Sequence, residues 1–240
     1  MDPHWRDVHR RVWQLVEHLW AANAAFGHGI EHAASVYASG MAITEREGAN
    51  PLVVGAGCYL MDSGLDLKNG RHNHIERSLD IARSVIDQVP ELEPVRDDIY
   101  LAIAHHEGDE PVPSSLPREA LIVRDADTLD RLGIVGIQMT LRYGLWIKRP
   151  FCHPKDPLCL ERSPELNGYS LDYVRYSFRL ADALSTELAK AIGVRKLVEQ
   201  RAFFEWVDSF RARSTLPDYA DAFTVLDQLD PKFSSPDPAL

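Results

Sequence analysis

Histidine and aspartate residues recur at five places along the chain, and these two residue types together suit metal chemistry. The five places are His32, Asp62, His72 with His74, His105 with His106, and Asp125 with Asp127. Imidazole and carboxylate groups bind Zn, Fe, Mn or Co, and carboxylate-rich sets also accept Mg. A single histidine in an apolar helix is usually a hydrogen-bonded core residue, so the ordered set, rather than any one member, indicates a metal site.

Asp62 carries an argument of its own, because it closes the apolar run VVGAGCYLMD at residues 53–62. Burying an unpaired carboxylate costs several kcal/mol. A buried Asp62 therefore needs a cation beside it. The alternative is that Asp62 begins a turn with Ser63 and Gly64, as aspartate often does.

Helical periodicity covers nearly the whole chain and predicts the elements that must position these residues. The predicted helices span approximately residues 8–19, 30–46, 51–62, 71–89, 95–106, 118–132, 134–145, 169–192, 194–213 and 216–229. No strand and no internal repeat is indicated, so the predicted class is all-α. In helical proteins, metal sites are built from side chains of several facing helices.

Composition restricts the function classes. The 240 residues fit one domain, and 45% hydrophobic residues suffice for a large core. The net charge of -10 argues against binding a nucleic-acid polymer. Three scattered cysteines, an N-terminus without an apolar signal segment, and the lack of a membrane-length apolar run predict a soluble cytoplasmic protein. A homo-oligomer is compatible with the sequence.

Residues 148–168 differ from the rest of the chain. The segment is rich in proline and has no helical period. Loops of this length inside a compact domain are usually functional. We therefore interpret residues 148–168 as an active-site loop and as a candidate lid over the site.

The order of these motifs resembles the HD-domain metal-dependent phosphohydrolase superfamily. The matching pieces are His32-Ala-Ala-Ser-Val36, Cys58-Tyr-Leu-Met-Asp62, Ile103-Ala-His105-His106-Glu107 and Ala126-Asp127-Thr-Leu129. The segment DADTLDRLGIVG is most similar to the small single-domain bacterial HD hydrolases. The resemblance covers about residues 25–213. It implies one HD-type helical domain over residues 1–240, a helical bundle with two long C-terminal helices.

The resemblance implies a set of metal ligands. These are His32, Asp62 and Asp127, joined in members with two metals by His74 and by His105 or His106. Sequence does not decide between His105 and His106, or between His72 and His74. A substrate anion would be held by cations near the set, for which the candidates are Arg124, Lys148 and Arg149.

Met61 departs from the family pattern, because the dyad that names the superfamily is His-Asp and this chain has Met61-Asp62. A thioether is a poor ligand for Zn(II), Mg or Mn. Three explanations are open: the replacement is compensated by the other histidines, it marks a member that has lost hydrolysis, or it was introduced artificially.

The resemblance implies hydrolysis of a small phosphorylated substrate, a nucleotide being favoured, with a divalent metal ion (Mn, Fe, Co, Ni, Zn or Mg) activating water. Asp62 or a neighbouring carboxylate would act as the general base. Two alternatives use the same scaffold. One is an HD-type di-iron oxygenase, and the other is a degenerate HD domain that binds without hydrolysis.

Overall fold

The computed structural model describes residues 4–24, 27–108, 112–113, 115–153, 156–166 and 168–213. Within these ranges the chain forms α-helices and short 3-10 segments and has no β-strand. The predicted all-α class is confirmed. The predicted helix over residues 216–229 lies outside the described residues.

Nine α-helices are found in the described ranges. They are α1 (His4–Ala22), α2 (Ile30–Glu47), α3 (Pro51–Leu60), α4 (His74–Gln88), α5 (Arg96–Ala104), α6 (Arg118–Asp130), α7 (Gly133–Trp146), α8 (Ser170–Tyr176) and α9 (Glu187–Arg213). None of the described helices combines the length and the apolar character needed to cross a membrane.

Helix α3 is the central element, because it contributes to two apolar clusters. On one side Val53, Ala56 and Leu60 pack with α1, α4 and α5. On the other side Val54 and Cys58 pack with residues of α2, α5, α6 and α9. Surrounded in this way, α3 can be apolar on every face.

Hydrogen bonds fix the start of α3 and the turn that follows its end. Asn50 precedes Pro51, and its side chain accepts a hydrogen bond of 3.0 Å from the backbone N–H of Leu52, as an N-cap residue does. At the other end the backbone N–H of Gly64 donates to the Ser78 hydroxyl in α4 at 2.9 Å. The turn that carries Asp62 is therefore held against α4.

A close contact joins α1 to α3. A Cβ atom at Gly55 would lie 1.9 Å from the ring of His9, so only glycine fits there. The His9 Nδ1 atom lies 2.9 Å from the Tyr37 hydroxyl in α2. His9 is therefore a buried structural residue that ties α1, α2 and α3 together.

The C-terminal region differs from the two predicted long helices. Residues 169–192 form the short helix α8, a 3-10 segment at Ser177–Ala183 and the first residues of α9. The helical structure is interrupted near Ser185 and Thr186. The backbone N–H groups of these two residues donate to the Asp125 carboxylate at 2.9 and 2.7 Å. Gly193, where a break was predicted, lies inside α9, facing Leu184. Asp125 thus fixes the two residues before α9 and is not in the metal-ligand set.

Candidate metal centre

Five of the predicted residues come together at the end of α3. His32 lies in the first turn of α2, Asp62 two residues after α3, His74 at the start of α4, His106 two residues after α5, and Asp127 in the last turn of α6. All five are at most 6% exposed. Since α2 packs on α3 and α6, and α5 packs on α3, α4 and α6, one corner of the bundle collects these helix ends.

The Asp62 carboxylate joins two groups of histidines. Its Oδ2 atom is 3.5 Å from His32 Nε2. Its Oδ1 atom is 3.4 Å from His74 Nε2 and 3.2 Å from His106 Nε2. Bonds of about 2.1 Å to one metal ion separate neighbouring ligand atoms by about 3.0–3.5 Å. The spacing of these atoms is therefore that of metal ligands.

Several of these atoms are buried without a hydrogen-bond partner among the described residues. They are His32 Nε2, His74 Nε2 and Asp62 Oδ1. Buried polar atoms are nearly always paired, so a cluster of unpaired ones needs an explanation. His32 and His74 belong to two groups of ligand atoms that share Asp62, and a divalent cation held in each group would satisfy these atoms. The residues present therefore fit metal binding.

The histidine rings are oriented by their other nitrogen atom. His32 Nδ1 lies 2.7 Å from Asp130 Oδ2, His74 Nδ1 lies 2.9 Å from the Arg71 carbonyl, and His106 Nδ1 lies 2.8 Å from the Ile103 carbonyl. All three partners accept hydrogen bonds, so each Nδ1 carries a proton and each Nε2 faces the centre, where it becomes a ligand atom once it is deprotonated. Metal-binding histidines are typically held in this way.

The electrostatics of the centre are dominated by its buried carboxylates. Burial alone would lower the pKa of His32, but hydrogen bonds and charges from Asp130, Asp62 and Asp127 outweigh it and raise this pKa to about 10. Burial opposes ionisation of Asp62, yet His106 and His32 hold its pKa well below the usual range. The pKa of Asp127 is raised, chiefly by burial. The buried carboxylates therefore favour positive charge in the centre, either on its histidines or on a bound cation.

A cavity of about 320 Å³ opens beside these residues. Three arginines line it together with His32, Asp62, His106 and Asp127. Arg71 pairs with Glu107, Arg131 donates to the Tyr173 hydroxyl, and the Arg149 guanidinium lies 5.7 Å from the centre of the Tyr173 ring. The cavity therefore offers cations for an anionic ligand directly next to the carboxylate cluster.

Other residues predicted for the site lie elsewhere. His105 caps α5 and is half-buried, and His72 is exposed, while their neighbours His106 and His74 are in the cluster. Arg124 is buried and donates to the His105 carbonyl at 3.2 Å, and Lys148 is exposed. Neither is among the described residues that line the cavity. Of the three predicted substrate cations, only Arg149 is.

The Met61 side chain is fully buried in the apolar cluster that contains Val36 and Cys58. It is not among the described residues that line the cavity. The position that the resemblance assigns to the dyad histidine therefore belongs to the core here. The thioether makes no observed contribution to the centre.

Sequence reasoning missed four residues of the site. His28 lines the cavity and forms a group with His32 and Asp62 whose ligand atoms all lie within 4.8 Å of one another. Its signal was the His-x-x-x-His spacing. Arg131 follows Asp127 by four residues, which places both on one helical face. Arg71 and Tyr173 lie outside the motifs, and no sequence signal identifies them.

Comparisons with known proteins agree with this architecture. The family model of the HD domain matches residues 29–132. A protein from Lactobacillus plantarum is 20% identical, with a TM-score of 0.66 over 89% of this chain and 99% of its own. An HD-superfamily hydrolase from Bacillus thuringiensis is 22% identical, with a TM-score of 0.63 over 88% and 100%.

The Bacillus subtilis protein YpgQ, whose structure contains ADP, is 16% identical to this chain and has a TM-score of 0.62 over 88% of this chain and 97% of its own. At these identities the solved structures establish a shared fold. No curated protein matches the chain.

Proposed function

This chain contains an HD domain, and from that premise we propose that it is a metal-dependent phosphohydrolase acting on a small phosphorylated substrate. A nucleotide is the substrate class we favour. One observation carries the proposal: the buried histidine–aspartate cluster and three arginines line the same cavity. Phosphate hydrolysis needs both a divalent cation and fixed positive charge around the phosphate oxygens.

The proposed ligands divide into two groups that meet at Asp62. One group is His32, Asp62 and Asp127, in which His32 Nε2 lies 3.5 Å from Asp127 Oδ1. The other is Asp62, His74 and His106. A divalent cation held there would lower the pKa of a water molecule and polarise the phosphoryl oxygen.

The arginines have a separate role in this proposal. Arg71, Arg131 and Arg149 orient the phosphate against the carboxylate cluster and balance its negative charge. The Tyr173 hydroxyl accepts from Arg131 and its ring lies beside Arg149, so the two guanidinium groups are held in fixed positions. Positioned cations stabilise charge that develops on the phosphoryl oxygens without further rearrangement.

Asp62 was also predicted as the general base. Its pKa lies well below the usual range because His106 and His32 stabilise the ionised form despite burial. A carboxylate of such low pKa is a weak proton acceptor. The direction of this shift supports Asp62 as a ligand in preference to a base.

Two features support a nucleotide. The cavity is within the volume range of small-molecule sites and has aromatic rings, Tyr143 and Tyr173, in its wall. A base or sugar can lie against such rings while the phosphates reach the arginines. A distant structural relative, YpgQ, was solved with ADP.

The di-iron oxygenase and the binding-only domain remain the alternatives. Three arginines around the cavity favour a phosphorylated substrate over the uncharged substrate that an oxygenase could accept. A binding-only domain has no need for buried carboxylates, which are costly to maintain. Elemental analysis of the purified protein distinguishes the di-iron oxygenase from the phosphohydrolase, because the oxygenase requires two irons per chain.

The proposal is tested by incubating the purified protein with Mn, Co, Ni or Mg and a panel of nucleoside mono-, di- and triphosphates and simple phosphoesters. Release of phosphate or pyrophosphate is measured. We expect hydrolysis of at least one nucleotide, and its loss in Asp62→Asn. The variant Asp80→Asn, which alters an exposed aspartate of α4 paired with Arg83, is the matched control and should retain activity. No release from any compound with any metal would refute the proposal.

A further inference from the structure

We propose that His28 is a metal ligand of this centre and supplies the imidazole that the family dyad loses at Met61. The inference rests on the proposed function only in that both require a metal ion. It differs from the family pattern, because His28 comes from the segment before α2 and not from the end of α3.

The position of His28 relative to the ligands carries the inference. One of its ring nitrogens belongs to a group with His32 and Asp62 in which the ligand atoms lie within 4.8 Å of one another. The His28 and His32 rings meet edge to face with centroids 5.1 Å apart. His28 also lines the cavity that contains the proposed ligands His32 and Asp62.

The backbone around His28 is built to hold it there. Gly27 has φ of +90°, a conformation that favours glycine. A Cβ atom at Gly29 would lie 2.8 Å from the Ala24 Cα atom, so this turn is also too tight for a larger residue. On the far side the His28 ring contacts Tyr143 at 6.0 Å between centroids. The two glycines fold the chain so that His28 meets α2 and α7 at the cavity.

The chemistry of the ligand set explains why a second imidazole is needed. Met61 lies in the apolar cluster, so without His28 the first group has one imidazole and two carboxylates. His28 makes it two imidazoles and two carboxylates. A set that contains the His-Asp dyad has the same number of imidazoles and carboxylates and the same charge. Such a set suits a cation such as Mn, Fe, Co or Zn.

The test measures metal binding by the full chain after treatment with EDTA. Titration calorimetry with Mn²⁺ gives affinity and stoichiometry, and the visible absorption of the Co²⁺-loaded protein reports the ligand set. His28→Phe keeps a ring against His32 and Tyr143 but removes the nitrogen. His72→Ala, an exposed histidine outside the centre, is the control.

We expect His28→Phe to bind Mn²⁺ at least 10-fold more weakly at one site and to alter the Co²⁺ spectrum, whereas His72→Ala matches the parent protein. Equal melting temperatures of the metal-free proteins will show that the fold is retained, and His28→Gln gives a second measurement if His28→Phe is unstable. Parent-like affinity and spectrum in the folded variant would overturn the inference, and so would failure of the parent to bind any metal.

The two proposals fail in different ways. If the metal-loaded parent hydrolyses no phosphorylated compound but loses affinity on His28→Phe, the metal-ligand inference stands and the proposed function falls. If the parent hydrolyses a nucleotide and His28→Phe binds metal normally, the reverse holds.

Discussion

Asp130 is the residue whose removal tests most directly how the centre is organised. Its carboxylate accepts from His32 Nδ1 at 2.7 Å and from the Ser35 hydroxyl, but it does not line the cavity among the described residues. It therefore acts through His32 by fixing the ring tautomer and orientation. Asp130→Asn keeps the shape and one accepting oxygen while removing the charge.

The expected magnitude follows from burial. The His32 and Asp130 side chains are each 1% exposed, so water cannot replace the lost interaction. Removing a partner of a metal-binding histidine typically costs 10- to 100-fold in affinity. Because this contact is short and both groups are fully buried, we expect a loss at the upper end of that 10- to 100-fold range. We expect Mn²⁺ affinity to fall by about 100-fold, which is about 2.7 kcal/mol.

Calorimetric titration with Mn²⁺ at pH 8 measures this loss, and Ser35→Ala is the matched control. The Ser35 hydroxyl touches the other oxygen of Asp130, so its removal leaves the contact with His32 in place. We expect an effect of less than about threefold for this control. Equal affinities for Asp130→Asn and the parent, or equal losses in the two variants, would contradict the role assigned to Asp130.

Three further predictions concern other parts of the chain. Burial lowers the pKa of His9 to about 4. Between pH 6.5 and pH 4 the unfolded chain therefore binds a proton that the folded chain does not, and the free energy of unfolding should fall with decreasing pH by up to about 3 kcal/mol. Urea unfolding at several pH values should show this slope in the parent and a flatter one in His9→Gln. Arg131→Met should raise KM for the nucleotide hydrolysed fastest by about 10-fold or more, whereas Arg179→Met, which alters an exposed arginine paired with Glu165, should leave it unchanged in steady-state assays. Gly55→Ala places a Cβ 1.9 Å from the His9 ring and should cost about 1–3 kcal/mol in chemical denaturation, and parent-like stability would show that α1 can move away.

The all-α fold class could be predicted from the sequence because apolar residues recur at helical spacing along almost the whole chain. The boundaries between helices were predictable where a proline or an N-cap residue marks them, as at Asn50 and Pro51. The break near residue 185 was not predictable, because the group that binds the backbone there is Asp125, 60 residues away in sequence. Gly193 misled the prediction since its small size serves close packing on Leu184 and not a helix end.

The sequence named His32, Asp62 and Asp127 individually as ligands but left the choice within each histidine pair open. The choice between His105 and His106 depends on where α5 ends: the helix stops at Ala104, so His105 becomes its cap and His106 turns inward. Helix ends are uncertain by one or two residues in sequence, and one residue reverses this choice. The cavity residue Arg71 was harder still to predict, because it reaches the site through tertiary packing, whereas Arg131 lies one helical turn after Asp127.

Met61 and Asp62 show how one short segment can serve two purposes. Burial of the Met61 side chain in the cluster with Val36 and Cys58 contributes about 1.5–3 kcal/mol to folding. A histidine there would instead place a polar ring beside the core. Asp62, the next residue, faces the other way and contacts histidines on both sides. A centre organised around one shared carboxylate can lose a neighbouring ligand and keep its anchor, provided that another imidazole can bind the same ion. His28, whose ligand atom lies within 4.8 Å of those of His32 and Asp62, is the residue we propose for this role.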